Sequence, residues 1–334
     1  MIERWYDLHG PHLLVRAETE ALQERADAWM LPEGEPGEEA FVLTVEEGLP
    51  QPAPAGAPLL FDGMMPDKIH CRISETGSRE HYHVPALYSL DLGPKDAILT
   101  VVPGGTRPLR NSVAFQAINA ALGMGDQYFL HGAALLPPCR EEAVIFVGES
   151  GAGKTTTTLS LLAAGFRLLT DDASILVREG GRHSVWGMAL PLKVHRKSGD
   201  MLPWLKPLLT GEWNVEDEQP VTPEALSGLL SLNLPPRGVW PVAAIVSLGP
   251  RSAEGHIVRP LAKADMLVSL AADNVARSLK GVNRQHQERM RRLAELVAAV
   301  PTFRLNAGPD LTLLPAAVLD ALNASAGLIA AHSA

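Results

Sequence analysis

The stretch AVIFVGESGAGKTTTT, residues 143–158, decides the fold. Its first five residues, Ala143–Val147, are apolar and predict a buried strand, and the residues from Gly148 to Thr155 fit the pattern G-x-x-x-x-G-K-[ST]. Glycines allow backbone N–H groups to turn toward a phosphate without a Cβ clash, and the N-terminus of a following helix adds partial positive charge. The stretch therefore predicts a strand, a phosphate-binding loop and a helix over Thr155–Ala164.

The same pattern assigns roles to positions in the loop. We expect Lys154 to reach the β- and γ-phosphates of ATP and the Thr155 hydroxyl to bind Mg²⁺. A glycine-rich turn that binds nothing is disfavoured, because the strand, the spacing, the lysine and the threonine all agree. The predicted nucleotide-binding residues are Gly148, Glu149, Ser150, Gly151, Ala152, Gly153, Lys154, Thr155 and Thr156.

Two consecutive carboxylates follow the next predicted strand, Phe166–Thr170. Phosphoryl transfer needs Mg²⁺ held by oxygen ligands and a carboxylate that accepts the proton of the attacking hydroxyl. Asp171 and Asp172 can divide these tasks, because in a parallel α/β unit this strand would lie beside the strand before the loop, with both carboxyl ends at one edge. Thr155, Asp171 and Asp172 are thus the predicted metal ligands. Taken alone, the pair also fits a turn capped by aspartates.

Composition and charge limit the class of protein. The 334 residues are 46% hydrophobic and 20% charged, which is typical of a globular chain of one large or two ordinary domains. The net charge of −9 argues against nucleic acid as a partner. No apolar run is long enough to cross a membrane, the start lacks a signal-peptide pattern, and the only cysteines, Cys71 and Cys139, form no framework. We expect a cytoplasmic protein with reduced thiols that binds no membrane.

The chain is predicted to divide near residue 110, after the turn signal PGGTRP at residues 103–108. Residues 1–110 form a small α+β module and residues 111–334 the catalytic domain in this interpretation. The predicted elements of the first part are a helix at Thr19–Trp29 and strands at Phe41–Val45, Ala86–Leu90 and Ala97–Val101. The second part is predicted to begin with a helix at Asn111–Leu122.

The second part contains further apolar segments around the loop. The predicted strand Phe129–Leu136 forms a hairpin with the strand before the loop. Trp240–Pro250 predicts a core strand and Lys280–Val300 an amphipathic helix. The segment Met201–Pro220 is consistent either with a lid or groove for an acceptor or with packed surface helices.

Three motifs in this order, HGAALL from His131, VIFVGESGAGKT from Val144 and GFRLLTDD from Gly165, resemble the C-terminal domain of HPr kinase/phosphorylase. That family has a bacterial P-loop serine kinase fold similar to phosphoenolpyruvate carboxykinase, and the resemblance covers about residues 129 to 177. It implies that Lys154 binds the nucleotide phosphates and that the aspartates supply the base and the metal environment. The resemblance also implies that His131 supports the aspartates. Without the resemblance, a histidine on a buried strand indicates a core residue.

The chain departs from the family after this region. Residues 187–200, GMALPLKVHRKSGD, lack the glutamate of the family signature, which argues against a reverse, phosphorylase reaction. Lys193, His195, Arg196 and Lys197 instead form a basic stretch that either approaches phosphate or an acidic peptide or is a solvated loop. VPTFRLNAGPDL, from Val300, resembles a branch of HPr-kinase-related proteins, some of which phosphorylate the C-terminal serine of lasso-peptide precursors.

These observations predict an α/β protein with a P-loop kinase domain of the HPr kinase/phosphoenolpyruvate carboxykinase type after a smaller α+β module. The predicted activity is that of an ATP- and Mg²⁺-dependent serine kinase with Asp171, Asp172, His131 and Lys154 as catalytic residues. Its partner would be a protein or peptide, with a lasso-peptide precursor as one candidate, and the family's hexamers imply self-association. The alternatives are a small-molecule kinase and a nucleotide-dependent switch or ATPase without a dedicated acceptor.

Overall fold

The computed structural model describes residues 1–65, 68–105, 109, 111–232, 234, 237–274 and 284–333, with the backbone only at residues 179, 273, 284–286 and 325–333. The chain packs as two compact units. The first is built mainly from Met1–Tyr128, and the second from Phe129–Ala276 and Gln287–Ala334. The protein is thus a mixed α/β chain in which each unit contains one large sheet.

The first unit is an eight-stranded sheet with two helices. The strands stand in the order β1-β2-β3-β8-β7-β6-β5-β4, in which β3 is parallel to both β2 and β8 and the other neighbours are antiparallel. The elements are β1 (Ile2–Asp7), β2 (His12–Ala17), α1 (Glu20–Asp27), β3 (Ala40–Glu47), β4 (Leu59–Met64), β5 (His70–Thr76), β6 (Arg79–Val84), β7 (Tyr88–Leu92), β8 (Asp96–Val101) and α2 (Ala114–Met124).

Period-two alternation explains the core of this sheet. Phe41, Leu43 and Val45 on β3 are fully buried, while the residues between them are partly exposed. The predicted helix at Thr19–Trp29 is confirmed as α1, and Thr19 caps it by accepting a hydrogen bond from the Leu22 backbone N–H at 3.3 Å. The predicted strands at residues 41–45 and 97–101 are confirmed, whereas the strand predicted at 86–90 begins two residues later, as β7.

The predicted domain boundary near residue 110 stays a prediction, and residue 110 itself lies outside the described residues. The compact units divide after Tyr128, because α2 packs on β2, β3, β7 and β8 of the first sheet. Asn111 begins this helix by accepting hydrogen bonds from the backbone N–H groups of Val113 and Ala114. The helix that we expected to open the second part therefore belongs to the first unit.

The second unit surrounds a nine-stranded sheet. Its elements are β9 (Gln127–His131), β10 (Ala133–Leu136), β11 (Ala143–Val147), α3 (Lys154–Leu162), β12 (Arg167–Thr170), β13 (Ala173–Glu179), β14 (Arg182–Gly187), β15 (Leu192–His195), α4 (Arg196–Met201), a 3-10 helix (Pro203–Leu208), β16 (Glu218–Val221), α5 (Pro223–Leu230), β17 (Trp240–Leu248), β18 (Ile257–Pro260), α6 (Lys263–Asn274), α7 (Arg284–Ala299), β19 (Thr302–Asn306) and α8 (Leu314–Ser333).

The strand order corrects one prediction about the site. The sheet runs β12-β10-β11-β17-β14-β13-β9, while β19 pairs with β17 and β18, and β15 and β16 form a separate ribbon. The strand before the aspartates, β12, is not the neighbour of β11, because β10 lies between them and is antiparallel to both. Since two antiparallel steps restore the direction, β11 and β12 still end at the same edge of the sheet.

The predicted hairpin is confirmed as β10 and β11, but the strand predicted over Phe129–Leu136 is two strands that break at Gly132. A Cβ at Gly132 would lie 3.0 Å from the Phe146 carbonyl oxygen, so the close approach of β11 explains the break. The predicted core strand is confirmed as β17, which is parallel to β11. The predicted helix at 280–300 is observed as α7, and residues 280–283 lie outside the described residues.

The apolar core of the second unit lies between the sheet and α3. Its buried members include Val144 and Phe146 on β11, Phe303 and Leu305 on β19, and residues of α3 and α8. The segment Met201–Pro220 consists of the end of α4, the 3-10 helix and the start of β16, with Leu202 and Leu205 in this core. No described helix is both long and apolar enough to cross a membrane.

Candidate functional site

The loop after β11 has the backbone that the sequence pattern predicts. Gly151 and Gly153 adopt φ values of +83° and +99°, in the left-handed region that side chains disfavour, and a Cβ at either would meet nothing within 4 Å. Gly153 is also the N-cap of α3, which starts at Lys154. The loop therefore turns directly into a helix N-terminus, which is the arrangement that binds phosphate in P-loop proteins.

Lys154 folds back over this loop. Its Nζ donates a hydrogen bond to the Gly148 carbonyl oxygen at 2.6 Å, and the residue is 9% exposed. No acidic side chain of the described residues forms an ion pair with it. A buried ammonium with only carbonyl partners has unused capacity for an anion, because three N–H donors are available on the group.

Thr155 and Asp171 meet at the start of α3. The Thr155 hydroxyl donates a hydrogen bond to Asp171 Oδ2 at 2.7 Å, and the buried Oδ1 of the same carboxylate has no partner among the described residues. Both groups offer oxygen atoms, which Mg²⁺ prefers, and Mg²⁺ is commonly held by one or two carboxylates together with substrate phosphates. The donor set therefore fits Mg²⁺, although no three His, Cys, Asp or Glu side chains converge in the described part of the chain.

Asp171 and Asp172 have opposite electrostatic surroundings. Asp171 is only 7% exposed, and burial raises the pKa of its carboxyl to about 6 in the absence of a metal. The Asp172 side chain is 52% exposed. Burial of part of the group opposes its ionisation, yet the His131 hydrogen bond and charge, with smaller contributions from Lys154 and Lys193, lower the pKa of Asp172. Asp172 is thus the carboxylate that is both ionised and open to solvent.

His131 holds Asp172 from the end of β9. Its Nδ1 lies 3.0 Å from Asp172 Oδ1, and its backbone N–H donates to Asn274 Oδ1 at 2.7 Å. The turn that carries the aspartates is fixed as well, since the Ala173 N–H donates to Thr170 Oγ1 and the Gly132 N–H donates to the Asp172 carbonyl oxygen. The histidine and the carboxylate are therefore positioned by the backbone on both sides.

The structure places the remaining predicted residues as follows. Glu149 and Ser150 lie exposed at the tip of the loop, with Gly151 and Ala152 between them and α3. The Thr156 hydroxyl is hydrogen-bonded to Ser198 Oγ at 2.7 Å, so this side chain ties α3 to α4 and leaves only its backbone N–H for a nucleotide. Its role in binding, like the roles of the other site residues, stays a prediction.

The sequence pattern identified Lys193 only as part of a basic stretch, but the structure places its charge near the aspartates. Lys193 is exposed on β15, between the buried residues Leu192 and Val194 that pack in the α3 core, and its charge acts on Asp172. In contrast, Arg196 pairs with Asp217 at 2.7 Å and stacks on Trp213, which removes it from the site. The alternation of β15 is the sequence signal for the exposure of Lys193, whereas Arg196 is the first residue of α4.

Chemically, the edge of the sheet presents a glycine-rich loop of the phosphate-binding pattern, an oxygen-donor pair and an ionised carboxylate oriented by a histidine. No protein-family model matches the chain. The search of curated proteins also found no match. Among solved structures, the HPr(Ser) kinase/phosphatase from Coxiella burnetii is similar, with a TM-score of 0.31 and 14% identity over 60% of this chain and 96% of that one. At this level of similarity, the function of this mixed α/β chain must be argued from its own residues.

Proposed function

We propose that this chain is an ATP- and Mg²⁺-dependent kinase that phosphorylates the serine hydroxyl of a protein or peptide. The observation that carries the proposal is the second carboxylate. Asp172 is ionised and half exposed, and His131 holds it at the edge of the sheet where β11 leads into the phosphate-binding loop. A nucleotide switch needs the loop and a metal ligand, but it has no need for a further oriented base.

Each residue then has one task. The loop N–H groups and Lys154 bind the phosphates and stabilise the charge that develops during transfer. Thr155 and Asp171 would hold Mg²⁺, which when bound neutralises phosphate oxygens. Asp172 accepts the proton of the acceptor hydroxyl, and His131 fixes the direction of that carboxylate and keeps it ionised.

The exposure of Asp172 favours a polypeptide acceptor over a small metabolite. Enzymes that act on small molecules usually enclose the reacting groups in a deep pocket. Here the proposed base has a 52% exposed side chain, so a serine at the end of a chain can reach it. The C-terminal serine of a lasso-peptide precursor is one acceptor of this kind.

Mass spectrometry of candidate peptides tests the proposal. Purified protein is incubated with ATP, Mg²⁺ and two matched peptide sets, one ending in serine and one ending in alanine. We expect a product heavier by one phosphoryl group only in the serine set. Formation of ADP and free phosphate with every peptide, and no heavier product, would contradict the kinase and favour a nucleotide hydrolase.

A further inference from the structure

Asn274, the last residue of α6, contacts the backbone that carries His131. Its Oδ1 accepts a hydrogen bond from the His131 N–H at 2.7 Å, and the asparagine is only 6% exposed. Of the described strands, β9 stands at the end of the strand order, next to β13, and His131 is its last residue. Outer strands have backbone groups that no neighbouring strand pairs, and for this N–H a side chain of α6 supplies the acceptor.

The two contacts of the Asn274 side chain suit an amide and no other polar group of its size. While Oδ1 accepts from His131, Nδ2 donates to the Leu270 carbonyl oxygen at 2.9 Å, one turn back in the same helix. The side chain thus presents an acceptor to one backbone group and a donor to another, which fixes the orientation of the amide plane. Aspartate would keep the acceptor but would direct its other oxygen at the Leu270 carbonyl oxygen. Alanine would provide neither contact.

Helix α6 is itself bonded to its neighbours near this contact. The hydroxyls of Ser269 on α6 and Ser247 on β17 form a hydrogen bond at 3.1 Å, and Leu270 is fully buried. Arg289 on α7 donates a hydrogen bond from Nη1 to the Asn274 carbonyl oxygen at 3.2 Å. The Asn274 side chain therefore projects from a backbone that both the sheet and α7 hold in place.

The residue after His131 is bonded to a different element. The Gly132 N–H donates to the Asp172 carbonyl oxygen at 3.2 Å, and Ser174 Oγ donates to the Gly132 carbonyl oxygen at 2.8 Å. The backbone of residues 131 and 132 is thus bonded both to α6 and to the segment that carries the aspartates. The His131 side chain leaves the backbone between these bonds. Its direction toward Asp172 Oδ1, 3.0 Å from Nδ1, therefore depends on both sets of bonds.

We infer that Asn274 is a positioning residue for phosphoryl transfer, which acts through His131 to set the direction of the Asp172 carboxylate. The inference rests on the proposed function for the reaction that it serves. Catalytic groups lose much of their effect when they are displaced by about 1 Å. Loss of the Asn274 amide should therefore slow transfer, and it should leave nucleotide binding unchanged, because this contact is made with the base and not with the phosphate-binding loop.

NMR of the full-length protein without nucleotide tests the contact itself. In Asn274→Ala the His131 amide proton should exchange with solvent about tenfold faster than in the wild type, and the His131 ring signals should shift. Asn274→Asp, which keeps an acceptor but no donor, should lie between the two. Ser269→Ala is the matched control, because it removes another hydrogen bond between α6 and the sheet without touching His131. Its His131 signals should match those of the wild type.

Single-turnover transfer from ATP to a serine peptide tests the catalytic role. Asn274→Ala should slow transfer about tenfold and leave the Kd of ATP unchanged, whereas Ser269→Ala should transfer at the wild-type rate. In a His131→Asn protein, the further change Asn274→Ala should have no effect on the rate. A residue that acts through His131 has nothing to position once that side chain is removed, so the two losses are not additive.

Three results would overturn the inference. They are wild-type His131 signals in Asn274→Ala, equal losses of rate in Asn274→Ala and Ser269→Ala, and additive losses in the double variant, which would assign Asn274 to the fold alone. Failure of the proposed function looks different. In that case no phosphoryl group reaches any serine peptide in the wild type, while NMR still reports the release of His131 in Asn274→Ala. The contact would then be supported, and its assignment to phosphoryl transfer would be contradicted.

Discussion

Asp171 and Asp172 are adjacent in the chain, yet their carboxylates have different surroundings. Asp171 is buried against Thr155, while Asp172 is exposed and bound by His131. Both residues lie in the bend between β12 and β13, where one carboxylate is held by Thr155 and the other by His131. The sequence shows two adjacent aspartates but does not say which one would bind the metal and which one would act as the base. The contacts with Thr155 and His131 support that assignment.

The raised pKa of Asp171 predicts that this residue destabilises the protein without metal. Its folded pKa of about 6 exceeds the usual 3.8, so its contribution to stability is complete below about pH 3.8 and is lost as the pH rises through 6. In EDTA at about pH 7.5, Asp171→Asn should therefore raise the free energy of unfolding by about 1 to 3 kcal/mol. Urea unfolding of both proteins at several pH values measures the difference.

Asp172→Asn is the matched control for that experiment. The pKa of Asp172 is lowered, so its ionised form stabilises the fold above the usual carboxyl pKa, and this stability is lost as the pH falls. The substitution should lower stability slightly at neutral pH. An Asp171→Asn protein that is less stable than the wild type in EDTA would contradict the assigned surroundings.

The contact between His131 and Asp172 should determine the pH at which kcat/KM falls on the acid side. Its hydrogen bond and charge keep the pKa of Asp172 low, and His131→Asn removes that charge. The acid limb of kcat/KM for serine-peptide phosphorylation should move to higher pH, and kcat should fall about tenfold or more. An acid limb at the same pH in wild type and variant would show that Asp172 is not the base that His131 controls.

Among the elements, the contacts between strands hold the site in place. The loop, its strand and its helix are local in sequence, and for this reason residues 143–164 could be predicted closely. The position of β10 between β11 and β12 could not be predicted, because strand order depends on pairing between distant segments. In the first unit, β1, β2, β4, β5 and β6 were missed for a related reason: short, half-polar strands such as HCRISET have weak local signals.

Gly187 allows β14 to pass the end of β12. A Cβ there would lie 2.3 Å from the Leu169 carbonyl oxygen and 2.6 Å from Thr170 Cβ, next to the aspartates. Gly187→Ala should therefore destabilise the protein by roughly 2 to 4 kcal/mol and should reduce activity, because β12 must shift. Thermal unfolding and the peptide assay measure the two effects.

Gly228, in α5, offers the opposite case in the same unit. A Cβ there meets nothing within 4 Å, and alanine is the better helix former. Gly228→Ala should leave activity unchanged and stabilise the protein by about 0.5 to 1 kcal/mol. If Gly187→Ala behaves like Gly228→Ala, the close contact between β12 and β14 does not hold the aspartates.

The chain as a whole has two compact units, and all the proposed site residues belong to the second. Composition could predict a globular chain of one large or two ordinary domains. The division after Tyr128 could not be read from the turn at residues 103–108, because the packing of α2 on the first sheet decides it.

Nucleotide binding should be visible in the stability of the whole protein. Mg²⁺ with ATP at about a hundred times Kd should add about 2.7 kcal/mol to the free energy of unfolding and raise Tm. Lys154→Ala should lose this increment, since it removes the buried ammonium that covers the loop. Differential scanning calorimetry with Mg²⁺ alone, ATP alone and both provides the comparison, and an equal rise with Lys154→Ala would exclude binding at this loop.

The most direct test follows the γ-phosphate of labelled ATP in a single turnover with serine-ending peptides and Mg²⁺. The wild type should place the label on the peptide. Asp172→Asn should still bind ATP and should slow transfer by about a hundredfold or more, because the hydroxyl proton has no acceptor. Label found only as free phosphate in the wild type, or transferred at the wild-type rate by Asp172→Asn, would contradict a kinase with Asp172 as its base.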